Sequence, residues 1–146
     1  MALDHSWEIK DFREEHLDGI LHICHVEGWT SLPSNPARAL RALSAPGVTT
    51  IVAIDDADEV IGFAQVLSDG EIQGHLALLG IRADSRHRGV ARSLLTHVFN
   101  EAPNLRIDTL SSADGESFYA SLRHRRIPGF RLYPDTMTDH ESEPTA

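Results

Sequence analysis

Three apolar segments that follow one another between residues 48 and 81 constrain the fold most strongly. Val48–Ile54 and Val60–Leu67 are rich in β-branched and other apolar residues, and the polar turn between them predicts a β-hairpin. Ile72–Ile81 follows another short turn and predicts a third strand. Gly89–Asn100 then carries apolar residues at helical spacing and predicts an amphipathic helix. The centre of the chain is therefore expected to form a sheet with a helix packed on it.

The flanking segments predict further helices and strands. We expect a strand and two helices before the hairpin, and a strand, a short helix and a final strand after the central helix: Trp7–Lys10, Glu14–Trp29, Pro36–Leu43, Leu105–Leu110, Glu116–Leu122 and Phe130–Tyr133. The predicted order is β-α-α-β-β-β-α-β-α-β, an α/β (α+β) fold with a mixed sheet and helices on its faces. A chain of 146 residues is expected to form a single domain, here over residues 1–135. Residues 136–146 are acidic and polar with almost nothing to bury, which predicts a disordered tail.

The charge balance narrows the classes of partner. With 22 acidic and 13 basic residues the net charge is −9, and an acidic protein repels nucleic-acid phosphates and anionic membranes while it attracts cations. We therefore expect no nucleic-acid partner, no membrane partner and a cationic substrate. The N-terminus lacks the pattern of a secretory signal, and no apolar run approaches the roughly 20 residues of a membrane span. A cytoplasmic protein is expected.

The cysteine and histidine positions predict no metal site. Cys24 is the single cysteine and lies among residues with helical apolar spacing, so we expect a buried structural thiol. His22 and His25 are one helical turn apart, but no third ligand follows in helical register. Both are expected to be surface histidines.

Between the third strand and the central helix lies an arginine segment, Arg82–Arg92, with arginines at 82, 86, 88 and 92. The N-terminus of a helix has unpaired amides and the positive end of the helix dipole, which suits an anion. The small residues Gly89 and Ala91 allow a phosphate to approach those amides. This arrangement predicts a phosphorylated ligand held mainly by backbone amides. The alternative is an exposed turn with solvated arginines.

The spacing Arg86-x-x-Gly89-x-Ala91, after a strand and at the start of a helix, resembles the acyl-CoA pyrophosphate loop of the GNAT acetyltransferase superfamily. The element order from Trp7 to Tyr133 is also similar to that superfamily. The resemblance implies a mostly antiparallel sheet, in which the strand before the loop splays from its parallel neighbour to admit the pantetheine arm. It implies acetyl-CoA as co-substrate and no metal. The implied CoA-binding residues are Leu79, Gly80 and Ile81 for the pantetheine amides, and Arg86, His87, Arg88, Gly89, Val90, Ala91 and Arg92 for the pyrophosphate.

A second motif, Phe118-Tyr119-x-x-Leu122, also resembles the superfamily. Tyr119 matches the tyrosine that often protonates the departing CoA thiolate, and the alternative is a core aromatic residue. The Gly-Phe pair that usually follows this motif is replaced by Arg123-His124, and a Gly-Phe pair comes only at Gly129-Phe130.

Two residues are candidate bases for an amine acceptor, which must lose a proton before it attacks. His75 lies eleven residues before Arg86, a spacing that in amine-acetylating members can hold a base carboxylate, and an ordinary histidine pKa near ~6.5 suits the task. The alternative is packing at a strand start. Asp108 could relay a proton through water or bind a cationic acceptor, or it could be a strand-edge carboxylate paired with Arg106 or another arginine.

The resemblance implies an N-acetyltransferase that moves an acetyl group from acetyl-CoA directly to a primary amine of a small, cationic acceptor. A protein acetyltransferase for N-terminal amines or lysines and a non-catalytic acyl-CoA-binding module are the alternatives. A homodimer is possible by the same resemblance. The residues that would shape the acceptor pocket, or otherwise belong to the core or its rim, are Trp29, Pro33, Phe63, Gln65, Phe130 and Tyr133.

Overall fold

The computed structural model describes residues 6–135 and residue 137. The chain divides into two compact units, Met1–Thr109 and Leu110–Ala146. The single domain predicted over residues 1–135 stays a prediction, and the predicted disordered tail lies, except for Met137, outside the described residues.

The first unit contains a five-stranded sheet in which the strands lie side by side in chain order. The strands are β1 (Trp7–Asp11), β2 (Val48–Asp55), β3 (Val60–Ser68), β4 (Gln73–Ile81) and β5 (Arg106–Thr109). Neighbouring strands from β1 to β4 are antiparallel, and β5 runs parallel to β4. The predicted mixed, mostly antiparallel sheet is confirmed.

Local residues explain where the helices of this unit begin and end. The helices are α1 (Leu17–Glu27), α2 (Pro36–Leu43) and α3 (Val90–Glu101). The side chain of Asn35 accepts the Arg38 N–H at 3.1 Å and caps α2, whose first residue is a proline. Gly28 adopts a left-handed conformation (φ 79°) and ends α1. The predicted helix at Glu14–Trp29 begins instead as a 3₁₀ turn, Glu14–His16.

The helices cover both faces of the sheet. Phe63 of β3 belongs to a buried cluster with Ile20 and Ile23 of α1. Its neighbour Gly62 lies against Val90 of α3, because a Cβ built on Gly62 would be 3.0 Å from a Val90 methyl. Successive residues of a strand face opposite sides, so α1 and α3 pack on opposite faces of the sheet. The end of β4 and the start of α3 are thereby held on a rigid core.

The second unit contains one short helix, α4 (Glu116–Ala120), within its described residues. The Ser112 hydroxyl accepts the Gly115 N–H at 3.3 Å before the helix, and Arg126 pairs with Glu116 at 2.7 Å after it. The predicted final strand at 130–133 is absent, because these residues have no strand conformation. Strand-like composition forms a strand only where a neighbouring strand supplies hydrogen bonds and packing. Phe130 is 84% exposed and lacks such packing.

Candidate active site

The pairing between the parallel strands β4 and β5 ends halfway along β4. Their pairing runs from Gln73 opposite Arg106 to Leu76 opposite Thr109, where β5 ends. β4 continues to Ile81 and remains paired with β3 on its other side. No β5 residue therefore pairs with residues 77–81. The half of β4 that leads into the arginine segment thus has no strand partner on this side among the described residues, and we call this side the open side of β4.

A bulge at Ala77 interrupts the regular pairing of β4 with β3. Leu76 pairs with Val66 and Leu78 with Gln65, so Ala77 is an extra residue without a partner in β3. A bulge bends a strand and increases its twist, and this one comes directly after Leu76, the last β4 residue that pairs with β5. The sequence pattern does not reveal this irregularity.

Backbone alternation decides which groups of β4 face the open side. The Arg82 N–H donates to the Ile61 carbonyl of β3 at 2.8 Å, so the backbone of Arg82 points toward β3. The backbone N–H and C=O groups of successive residues alternate in direction within the sheet. Those of Gly80 therefore also point toward β3, whereas those of Leu79 and Ile81 point toward the open side. Of the three residues proposed to bond pantetheine, Leu79 and Ile81 therefore offer backbone groups there. The Ile81 carbonyl already accepts a hydrogen bond from Arg86 Nε at 3.4 Å.

Gly80 serves the site through its missing side chain. A Cβ at this position would lie 2.8 Å from Phe63 Cε1, 3.0 Å from Ile23 Cγ2 and 3.2 Å from Trp29 Cζ3. Ile23 of α1 and Trp29, two residues beyond the end of that helix, can therefore approach β4 closely. This packing places the α1 end beside the arginine segment.

The start of α3 leaves its first amides uncapped. The first helical hydrogen bond runs from the Ser93 N–H to the Gly89 carbonyl at 2.9 Å, so the N–H groups of Val90, Ala91 and Arg92 precede the helical ladder. No side chain of the described residues caps this helix, and Gly89 has a left-handed φ of 91°. A Cβ at Gly89 would meet nothing within 4 Å. The helix start is thus open to an anion, with the positive end of the dipole behind it.

The arginines of the segment have different partners, which the sequence could not distinguish. Arg82 pairs with Asp84 at 2.6 Å, Glu59 at 2.9 Å and Asp55 at 3.6 Å. Its hydrogen bond to Asp84, with the nearby carboxylates, holds the pKa of Arg82 above its usual value. Arg82 therefore ties the segment to the turn of the β2–β3 hairpin. Its charge is balanced within the fold.

Arg86 is also paired with a carboxylate. Its guanidinium donates to Glu27, the last residue of α1, and to the Ile81 carbonyl. The charge concentration that the sequence indicated is therefore smaller than four arginines suggest, because two of them face acidic partners.

Arg88 and Arg92 carry the remaining charge of the segment. Arg88 donates to the Ser6 hydroxyl at 2.5 Å and lies 5.4 Å above the centre of the Trp7 ring. Arg92 is exposed and forms no ion pair with the described residues. These two side chains lie immediately before and within the first turn of α3, so their charge adds to that of the helix start.

The two candidate bases lie side by side where β4 and β5 are still paired. His75 and Asp108 are register partners, and both are exposed. The Asp108 carboxylate accepts from Gln73 Nε2 at 2.8 Å, and Gln73 Oε1 accepts from Arg106 Nε at 2.8 Å. Asp108 therefore contacts Arg106 indirectly, because the Gln73 side chain lies between them and hydrogen-bonds to both. His75 precedes Leu79 by four residues, about 13 Å of strand.

Tyr119, the candidate proton donor, lies in the second unit. It is half-buried on α4, and its ring packs edge-on against Phe118 at 5.3 Å between ring centres. Its role stays a prediction. The following residues, Arg123 and His124, are exposed.

Other residues singled out from the sequence belong to the core or surface. Phe63 is fully buried, and buried Gln65 donates to the Ala42 carbonyl at 3.4 Å, so both side chains pack inside the fold. Cys24 is buried, and burial raises the pKa of its thiol to about 11. His22 and His25 are exposed. Among the described residues, no group of three or more His, Cys, Asp or Glu side chains could hold a metal ion.

Sequence reasoning missed Glu27 at this site. Glu27 and Arg86 are 59 residues apart, and no local pattern reports a contact over such a distance. An acidic residue in the last turn of a helix is unfavourable for the helix dipole. That mismatch is the one signal that could have drawn attention to it.

Comparison with known proteins agrees with this geometry. The family model described as "Acetyltransferase (GNAT) family" matches residues 7–122. The chain belongs to the GNAT acetyltransferase family and is an acyltransferase, and this family uses acetyl-CoA as co-substrate. No functionally curated protein matches the sequence.

Solved structures show the same fold. A Deinococcus radiodurans R1 protein, provisionally described as an acetyltransferase, is 24% identical, with a TM-score of 0.70 and 92% of each chain covered. A GNAT-family acetyltransferase from Streptococcus pneumoniae TIGR4 is 19% identical, with a TM-score of 0.65 over 87% of this chain and 97% of the other. An aminoglycoside acetyltransferase from an uncultured soil metagenomic sample, in complex with sisomicin, is 11% identical, with a TM-score of 0.67 over 90% and 99%. None of the helices in the described part of this chain is long and apolar enough to span a membrane.

Proposed function

We propose that this protein is an N-acetyltransferase that transfers an acetyl group from acetyl-CoA directly to a primary amine of a small, cationic acceptor. One observation carries the proposal: the open side of β4 and the uncapped start of α3 are joined by the arginine segment alone. An extended amide-containing arm beside residues 77–81 and a pyrophosphate at the helix start would occupy these two features in sequence. The chain itself supplies the matching hydrogen-bonding groups.

The CoA-binding groups divide by chemistry. The Leu79 carbonyl and the Ile81 N–H would bond the amides of the pantetheine arm. The pyrophosphate would be held by the amides that open α3, where Gly89 leaves room, and by the charges of Arg88 and Arg92. Most of the anion binding then comes from groups that are already oriented by the fold.

Acetyl-CoA supplies an activated thioester, and residues of this chain must accept and donate the protons that the reaction transfers. The amine nitrogen bonds to the acetyl carbon, the carbon–sulfur bond breaks, and the sulfur takes up a proton. The Leu79 N–H would stabilise charge on the carbonyl oxygen. Tyr119 would supply the proton to sulfur and regain one, through water, from the nitrogen as the amide forms. His75, about 13 Å along the strand from Leu79, would receive the proton of the ammonium through water, with Asp108 beside it to attract the cation.

Two further observations support a cationic acceptor. The net charge of −9 favours the approach of cations, and the Asp108 carboxylate is exposed beside the candidate base. The fold is also used by an aminoglycoside acetyltransferase that was crystallised with sisomicin.

The test combines binding with turnover. Thermal unfolding is measured with acetyl-CoA, CoA and ATP, and thiol release is then followed with a panel of small amines and peptides. We expect both CoA species to raise the unfolding temperature by several degrees, ATP to have no effect, and small polyamines to give turnover. Tyr119→Phe should lower kcat at least tenfold with unchanged CoA binding.

Three results would contradict this proposal. Turnover confined to peptides would assign the site to protein acetylation. CoA binding without turnover on any amine would indicate a binding module. The absence of any CoA effect would remove the acetyl-transfer function altogether.

A further inference from the structure

The contact between Glu27 and Arg86 joins the end of α1 to the arginine segment. Glu27 is the last residue of α1, and its side chain is 22% exposed, against 44% for Arg86. The Arg86 guanidinium reaches two places at once, the Glu27 carboxylate and the Ile81 carbonyl at the end of β4. Arg86 thus bridges the end of a helix, the end of a strand and the loop that follows.

The loop beyond Arg86 needs such an anchor. His87 has a left-handed φ of 61°, which is uncommon for a residue with a side chain, and Gly89 has a φ of 91°. These two residues flank Arg88 in the chain, and their backbone conformation sets the direction in which the first amides of α3 face. The Arg86 guanidinium, held by the Glu27 carboxylate and the Ile81 carbonyl, fixes the start of this turn. Such charge-assisted hydrogen bonds are stronger than those between neutral groups.

We infer that Glu27 is a positioning residue for CoA binding, and that Arg86 is the anchor partner of Glu27 and not a direct ligand of the pyrophosphate. The inference rests on the proposed function, since it concerns the same site. It removes Arg86 from the direct phosphate ligands and leaves that role to the α3 amides, Arg88 and Arg92. It also makes the end of α1, on the opposite face of the sheet from α3, part of the donor site.

The test is a double-mutant cycle on CoA affinity, measured by titration calorimetry on the full chain. The variants are Glu27→Gln, Arg86→Gln and the double substitution. We expect each single variant and the double variant to weaken CoA binding to a similar extent, roughly tenfold, because contacting residues that act as a unit are not additive. Glu71→Gln is the matched control: it removes the same charge from the exposed turn that precedes β4, at the opposite end of that strand from Arg86.

Salt dependence and kinetics separate positioning from direct binding. A direct phosphate ligand contributes to the salt dependence of affinity, so Arg86→Gln should leave the slope of log Kd against log salt unchanged if Arg86 is an anchor. With an acceptor from the amine screen, both single variants should raise the KM for acetyl-CoA about tenfold and change kcat less than twofold. Unfolding temperatures without ligand identify any variant that has lost its fold. Glu27→Asp, which retains the charge, should recover part of the affinity.

The outcomes distinguish the two proposals. If wild-type protein binds no CoA, the proposed function and this inference both fail. If wild-type protein binds CoA and Glu27→Gln binds it equally well or more tightly, while Arg86→Gln binds weakly, Arg86 is a direct ligand and the inference alone is wrong. Additive losses in the double variant would also overturn it.

Discussion

Replacing Gly80 by alanine is expected to destabilise the first unit by about 2 kcal/mol. The added methyl group would lie 2.8 Å from an aromatic carbon of Phe63, 3.0 Å from Ile23 and 3.2 Å from Trp29. Phe63 is fully buried and Ile23 is 2% exposed, so neither can move into solvent. Overpacking of a well-packed core costs about 1–3 kcal/mol, and three close neighbours place this site in the middle of that range.

The assay is thermal and urea unfolding of the full chain. For a unit of this size, about 2 kcal/mol corresponds to a fall in Tm of about 10 °C. Gly115→Ala is the control, because its added methyl would be 3.4 Å or more from every neighbour, and its Tm should stay within about 2 °C of wild type. The packing explanation of Gly80 would be refuted if Gly80→Ala also unfolded within about 2 °C of wild type.

Gly62→Ala provides a graded comparison on the other face of β3. Its methyl would be 2.9 Å from Ile81 Cδ1, 3.0 Å from Val90 Cγ1 and 3.3 Å from the Gly80 carbonyl oxygen. The Ile81 atom is the far end of a flexible side chain and can rotate away, whereas an aromatic ring cannot. Gly62→Ala should therefore destabilise less than Gly80→Ala, and the reverse order would show that rigidity of the neighbour does not decide the cost.

Three further expectations concern single side chains. Burial lowers the pKa of His16, whose Nδ1 accepts the Arg13 N–H at 2.9 Å. The unfolded chain therefore binds the proton more readily than the folded chain, and the free energy of unfolding should fall as pH drops below about 6.5. This fall should be smaller in His16→Gln. The Cys24 thiol, fully buried with a pKa of about 11, should react with a thiol reagent only at the rate of unfolding, and fast modification of the native protein would contradict its burial. Asn35→Ala removes the cap of α2 and should cost about 1 kcal/mol in urea unfolding, whereas no change would show that solvent replaces the Asn35 oxygen fully.

Much of the sheet and its helices was predictable because local signals agree with tertiary structure. The α2 prediction matches residue for residue, since Asn35 and Pro36 together mark its start. The strands from Val48 to Ile81 were predictable from apolar runs broken by polar turns, and their bounds differ by one residue at most. The open helix start could be predicted from Gly89 and the small residues after it.

The remaining features depend on contacts between distant residues. The bulge at Ala77 has no glycine or proline to mark it and exists only because Val66 and Gln65 pair on either side of it. The partners of Arg82 and Arg86 come from other elements, so a count of arginines overstated the free charge. The expected strand at Phe130–Tyr133 has strand-like residues without a strand partner.

The three carboxylates around Arg82 also bear on the thermodynamics of ligand capture. Asp55 is the last residue of β2, Glu59 belongs to the turn that follows it, and Asp84 belongs to the arginine segment itself. Joining them through one guanidinium orders the segment when the chain folds, so little conformational entropy is left to lose when an anion arrives. Loosening this junction should make binding entropically less favourable even though no phosphate contact has changed.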